Sequence, residues 1–194
     1  MNKLIGLLVV IFIASIGQAF AQEEVYKIGK PGPAGGLVFY DKGYSSDGWR
    51  YLEAAPTDEN RKFIWSNINK LLGREEDVEE KIGEGKNNTE AIISQIGHSE
   101  SAAKQCSQKV VHNNNNTFND YFLPSIGELI SMYETLHKEG KGSFVDHGYW
   151  SSSDAEDHRE GVVGKNAWGL NFDNGRRDTD WKYNLGFVRC IRRF

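Results

Sequence analysis

The chain has 194 residues, a formal charge of −4, and 26% charged against 39% hydrophobic residues. That is one domain's worth of chain and enough to bury a core, and 12% aromatic content argues against disorder. A mildly acidic balance gives no general case for nucleic-acid binding.

Residues 1–21 read as a signal peptide. Asn2-Lys3 supplies a short positive start, Leu4 to Ile16 is almost wholly apolar, and Ala19-Phe20-Ala21 fits an A-x-A cleavage site. The apolar run is shorter than the roughly 20 residues a membrane helix needs. Small residues follow it where an anchor would carry positive charge. No cysteine follows it to take a lipid. The expected mature chain starts near Gln22, is periplasmic or secreted, has no membrane span after cleavage, and forms a single domain over residues 22–194. Loss of Lys3 makes it one unit more negative.

Cys106 and Cys190 are the two cysteines. In an oxidising compartment an even count favours a bridge. Closing so long a loop is worth roughly 4–5 kcal/mol in the chain-entropy model. Two buried free thiols are the alternative. Neither cysteine has another at ligand spacing, so no metal site is expected there.

In chain order, Gly29-Lys30-Pro31-Gly32-Pro33-Ala34-Gly35-Gly36 has too few collagen-like triplets for a triple helix. It also lacks the Gly-Lys-Ser/Thr ending of a phosphate loop. It reads as a turn feeding the strand Leu37–Tyr40. A polar turn from Gly43 to Gly48 and a strand Trp49–Ala55 complete a hairpin. Phe63-Ile64-Trp65 is apolar. The acidic stretch Arg74 to Lys81 lacks calcium-loop spacing and reads as surface. Asn87 or Asn88 caps a helix, with Asn87-Asn88-Thr89-Glu90 shaped like a capping box. Ile92, Ile96, Ala103, Cys106 and Val110 fall on one face, and Gly97 is a candidate interruption. Asn113 to Asn116 is a polar loop. A second helix starts at Pro124-Ser125, with Ser125 as cap and Glu128 reaching back. Leu129, Met132, Tyr133 and Leu136 form its apolar stripe, and Gly140-Lys141-Gly142 ends it. Three strands follow, Tyr149–Ser152, Ala167–Phe172 and Phe187–Arg192, with Asp173-Asn174-Gly175 as a tight turn. The order predicts an α+β fold.

The segments Gly32 to Tyr40, Gly83 to Thr89, Ala102 to Cys106, Phe122-Leu123-Pro124-Ser125 with Glu128-Leu129, Tyr149 to Ser153, Ala167-Trp168 and Val188 to Arg192 together resemble the Lcl C-terminal domain family. This is a bacterial group of unassigned activity, related to the major paralogous domain. The resemblance spans nearly all of the expected mature chain. It implies a C-type-lectin-like fold: two helices packed on short antiparallel strands, with an irregular loop region that carries the ligand. It also implies a disulfide joining a helix to the final strand, as Cys106 and Cys190 would. The loop region maps to Gly140–Val163 and Phe172–Asn184. The family includes surface proteins that bind sulfated glycans. The Glu-Pro-Asn, Gln-Pro-Asp and Trp-Asn-Asp motifs of calcium-dependent sugar lectins are missing, and Cys106 and Cys190 are not the closely spaced pair of formylglycine-generating enzymes.

The remaining chemistry is sparse. His98, His112, His137, His147 and His158 contain no pair at metal spacing and no His-Glu-x-x-His. Ser151, Ser152 and Ser153 lack a nucleophile elbow and are expected to satisfy backbone groups. His147 and Asp154 do not make a triad by nearness alone. Arg176, Arg177, Lys182, Arg189, Arg192 and Arg193 concentrate positive charge, and arginine pairs bidentately with sulfate, phosphate or carboxylate. Trp168, Trp181 and Tyr183 offer faces for sugar rings. The candidate ligand site is therefore Trp168, Arg176, Arg177, Trp181, Lys182 and Tyr183. Asp173, Asn174, Asp178 and Asp180 could hold a structural calcium ion, although their spacing matches no known loop. Otherwise no cofactor is expected.

The expected function is an exported, non-catalytic binding domain for a glycan or other surface polymer, acting through loops 140–184. A protein–protein module of the cell envelope is the alternative. An enzyme of the formylglycine-generating type is a third reading.

Overall fold

The first hairpin runs further than its sequence pattern suggests. In the computed structural model, which describes residues 25–74, 79–156 and 161–194, β1 (Leu37–Ser46) pairs antiparallel with β2 (Trp49–Ala54) from Leu37↔Ala54 to Ser46↔Trp49. The polar stretch after Gly43 therefore belongs to the strand. The turn shrinks to Asp47-Gly48, with φ of 54° and 78°, the Asp-Gly geometry whose twist suits paired strands. The Arg50–Asp41 ion pair at 2.8 Å braces this outer part. The expected signal segment, residues 1–21, lies outside the described residues. Among these no helix is long and apolar enough to cross a membrane.

β3 (Phe63–Ile64) precedes helix α1 (Gly85–Ser94) and α2 (Ala102–Ser107). The capping expected at Asn87 or Asn88 is not found. The helix starts three or four residues earlier, with Glu84 as N-cap and no side-chain cap bond. Asn88 is buried, and its amide donates instead to the Glu79 carbonyl at 2.7 Å. Gly97, with φ of 86°, does interrupt the helical pattern. Gln95 is already extended, so Ile96 leaves the register and is 97% exposed, and Val110, beyond α2, is also exposed. Ile92, Ala103 and Cys106 are buried as expected.

A small hairpin, β4 (Val111–Asn113) and β5 (Asn116–Phe118), leads to α3 (Ile126–Met132). Here the sequence reading holds in detail. Ser125 Oγ accepts from Glu128 N, and the Glu128 carboxylate accepts from Ser125 N at 2.7 Å. The helix continues as a π-helical turn, Tyr133–His137. That turn brings Tyr133 and His137 against Phe172, with ring centroids 5.3 and 5.1 Å away.

β6 (Gly148–Ala155), β7 (Asn166–Asn171) and β8 (Arg177–Trp181) form a second antiparallel sheet in that order. Within the region expected as irregular loop, β6 runs past the predicted Tyr149–Ser152 to Ala155, and Arg177–Trp181 is regular strand. β9 (Leu185–Gly186) pairs with β3, and β10 (Ile191–Arg193) pairs with β2 to give the sheet β1-β2-β10. The predicted last strand, Phe187–Arg192, is split between a single parallel bridge from Phe187 to Tyr149 and β10. The architecture is α+β, with short helices packed on small antiparallel sheets.

Two apolar clusters fill it. One gathers Trp65, Ile92, Tyr121, Leu123, Trp150 and Val188 around the Cys106–Cys190 disulfide. The other packs Phe39, Leu52 and Phe122 against Leu129 and Met132 of α3 and Phe172 beyond β7. The disulfide joins α2 to the residue before β10, across 84 positions of sequence. Replacing both cysteines with serine is expected to lower unfolding free energy by about 4–5 kcal/mol through the unfolded chain's regained freedom. Urea titration of the oxidised protein and the double variant measures it.

Candidate functional site

The pairing of β7 with β8 sorts the candidate residues onto two faces. Gly169 opposes Asp178 and Ala167 opposes Asp180, while Trp168 opposes Thr179 and Asn166 opposes Trp181. Alternation therefore puts Gly169, Asp178 and Asp180 on one face and Trp168, Arg177 and Trp181 on the other.

The first face opens as a cleft of about 310 Å³, lined by Gly148 and Trp150 of β6, Gly169 and Asn171 of β7, and Asp178 and Asp180 of β8, with Lys62, His147 and Leu185 around it. Its floor carries little side chain. A Cβ on Gly169 would come within 2.8 Å of the Tyr149 carbonyl oxygen, and one on Gly186 within 2.7 Å of the Trp150 ring. Trp150 is fixed because its indole N–H donates to the Phe63 carbonyl at 3.0 Å. His147 stacks on Phe187 at 5.5 Å, and the Lys62 ammonium lies 4.6 Å from the same ring. Tyr149 donates its hydroxyl proton to Asp58 at 2.6 Å, and Arg189 Nε donates to the same carboxylate at 2.6 Å. The cleft therefore rests on a buried polar chain.

The second face is less open than the sequence suggests. The Arg177 guanidinium lies 3.9 Å over the Trp168 ring and holds both carboxylate oxygens of Glu80. Arg176 is exposed, 3.6 Å from Asp178. Trp181 and Tyr183 do face solvent, 37% and 54% exposed, with rings 5.7 Å apart.

Lys182 is a correction: it lies between them in sequence, in the turn that follows β8, and that turn points its side chain inward. It is 0% exposed, with its ammonium 2.8 Å from Asp154 and 2.8 Å from the Lys70 carbonyl. Arg189 and Arg192 are also buried and paired, with Asp58 and with Glu53 and Asp120. The basic C-terminal stretch is thus mostly an internal framework.

Of the oxygen ligands considered for calcium, Asp178 and Asp180 line the cleft. Asn174 Oδ1 accepts the Arg176 N–H, and Asp180 Oδ1 accepts from Trp181 N and Asn184 Nδ2. Among the described residues no group of three or more His, Cys, Asp or Glu is placed to hold a metal ion. The serine run behaves as internal wiring. Ser151 Oγ donates to the Trp168 carbonyl, Ser153 Oγ donates to the Glu79 carbonyl and accepts the Ile126 N–H, and all three serines are fully buried. His158 lies outside the described residues.

Sequence reasoning missed Lys62, Trp150, Gly169 and Leu185 as cleft residues. The available signal was Gly169, since a glycine inside a strand often marks a close approach or an open face. No protein-family model matches this chain, and no curated protein sequence matches it.

Two buried acids set the pH response of the fold. Burial pushes both Glu79 and Glu128 up to about 7 from an ordinary 4.5. Each holds its proton more tightly folded than unfolded. Its stabilising contribution is therefore fully present below about 4.5 and is lost as pH rises through 7. His98, pushed down by burial, acts in the opposite sense, one partly exposed group against two buried ones. The urea midpoint is expected to fall between pH 5 and pH 8, and a midpoint that rises over that range contradicts this.

Proposed function

We propose that this chain is an exported, non-catalytic binding domain of C-type-lectin-like fold, and that its ligand is a glycan or another hydroxyl-rich surface polymer. The observation that carries the reading is the cleft on the β6–β7–β8 sheet, with its backbone floor at Gly169 and the carboxylates of Asp178 and Asp180. Carboxylates accept hydrogen bonds from sugar hydroxyls, and Lys62 and His147 at the cleft's edge can donate to them. The disulfide between a helix and the approach to the last strand, and the pairing of that strand with the first hairpin, support the fold assignment.

The arginines bear on which glycan. Arg177 is matched by Glu80 and Arg176 by Asp178, so sulfate gains less here than a lone basic patch would offer. The reading favours a neutral or weakly charged glycan over a sulfated one. A glycan array with the chain from Gln22, run at two salt concentrations, is the test. Binding insensitive to salt is expected, and Asp178→Ala should weaken it roughly tenfold or more, since a hydrogen bond to a charged group is worth about 1.5–3 kcal/mol. Salt-sensitive binding of sulfated polymers only, with Asp178→Ala unaffected, would move the site to the arginines.

A second reading has its own observation. Leu185 is 62% exposed beside Tyr183 and Trp181, an apolar edge suited to a protein partner in the cell envelope. A blank array, together with an envelope protein whose capture is lost in Tyr183→Ser, would favour it. The formylglycine-generating reading gains no support from the two cysteines, which are joined to each other and fully buried.

A further inference from the structure

Three ionisable side chains meet where β6 ends, away from the cleft, and hardly any of their surface reaches solvent. Glu79 and Asp154 are nearly buried and Lys182 is fully so. Lys182 Nζ lies 2.8 Å from Asp154 Oδ1. The other carboxylate oxygen, Oδ2, accepts the Leu72 N–H at 2.8 Å. Ala155 N donates to Oδ1 at 3.0 Å, and Glu79 Oε2 accepts the backbone N–H of Asp154 at 3.0 Å. The buried Trp65 ring lies 4.4 Å from the Lys182 ammonium. Two carboxyls and one amine therefore share a dry site with an aromatic wall.

A plain ion pair is poorly placed there, because both charges have lost their water. Burial pushes the Asp154 acid up and the Lys182 amine down. Both shifts favour the neutral forms, reached by one proton moving across the 2.8 Å contact. A neutral, desolvated lysine is a nucleophile. A neutral carboxylic acid is an electrophile with a hydroxyl to lose. The two are held in contact, as a near-attack arrangement requires, and the Leu72 N–H already points at the oxygen that would carry developing negative charge.

We propose that Lys182 and Asp154 condense to an intramolecular isopeptide bond, with Glu79 carrying the proton. The Nζ lone pair attacks Asp154 Cγ and forms the C–N bond. Glu79 takes a proton from the nitrogen and returns one to the departing hydroxyl. The C–O bond breaks and one water leaves, so the amine and the acid become an amide with no redox change, and Glu79 ends as it began. Leu71, Leu72, Gly73, Arg74 and Glu156 close over Glu79 and Asp154, so the water departs on a local opening of that cover. The product ties the end of β6 to the residue after β8, across β7, and makes the second sheet a closed covalent unit.

Mass spectrometry of the full chain, reduced and denatured, tests this directly. The expected result is a digest in which the Lys182 and Asp154 peptides appear as one branched species, lighter than their sum by one water. Lys182 should then resist acetylation after denaturation. Lys182→Arg and Asp154→Ala should each abolish the branched species, and Glu79→Gln should slow its formation at least tenfold in protein whose circular dichroism matches the parent. Separate peptides of full mass and a readily acetylated Lys182 in the parent protein would overturn the proposal, whatever the variants do. A branched species formed equally fast in Glu79→Gln would overturn the role given to Glu79.

Discussion

The structure depends on a carboxylate that never meets water. Glu53, fully buried in β2, accepts N–H bonds from Ala34 at 3.2 Å and Gly36 at 2.7 Å. It is paired with Arg192 of β10 at 3.3 Å, and Arg192 in turn grips Asp120 with two bonds of 2.9 Å. One anion therefore joins the glycine-rich turn, the central strand of the first sheet, the last strand and the approach to α3. The glycine-rich run is a cradle for this internal charge. Gly32 has no room for a side chain, since a Cβ there would lie 2.6 Å from the Glu53 carboxyl carbon. Burial alone pushes Glu53 up, and the two N–H donors and Arg192 oppose that. Removing any single partner would strand a buried charge, which is far more costly than never having had the pair.

The same economy recurs around the second sheet. Polar groups inside this protein are spent on other polar groups and fix loops in place. Ser153 ties β6 both to α3 and to the Glu79 carbonyl, and Glu128 closes the α3 cap while holding Gly83 N at 2.9 Å. Arg189 reaches the carbonyl of Gly142 at 3.0 Å and thereby fixes the loop before β6. The cleft needs this rigidity. Its floor is backbone, so its shape follows the positions of β6 and β7 directly.

What could be read in advance follows from how local each signal is. The Ser125–Glu128 cap was legible because it is complete within four residues. The hairpin was legible in its apolar half and underestimated in its outer half, where Asp41 and Arg50 stabilise strand by a cross-strand ion pair that hydrophobic alternation does not register. The helix after Lys86 was extended too far, because Ile92, Ile96 and Val110 keep helical spacing on paper while Gly97 breaks the register. Of the candidate residues, Trp181 and Tyr183 do reach solvent. Lys182 does not, because its partner Asp154 lies on another strand and its carbonyl acceptor on a third segment. Long-range pairing of charges leaves no trace in the local pattern, and it also turned an apparent basic patch into a set of internal ties.

The position of β10 has a further consequence. Because it lies against β2, the two ends of the described chain come together: the Tyr26 ring is 5.0 Å from that of Phe194, and both touch Tyr51. A polypeptide that enters at Tyr26 and departs after Phe194 does so through a single corner of the surface. The module can thus be carried as an insert within another protein's loop without stretching its host. For the same reason it should tolerate circular permutation, with a short linker joining the two ends and new ends opened at the Asp47-Gly48 turn.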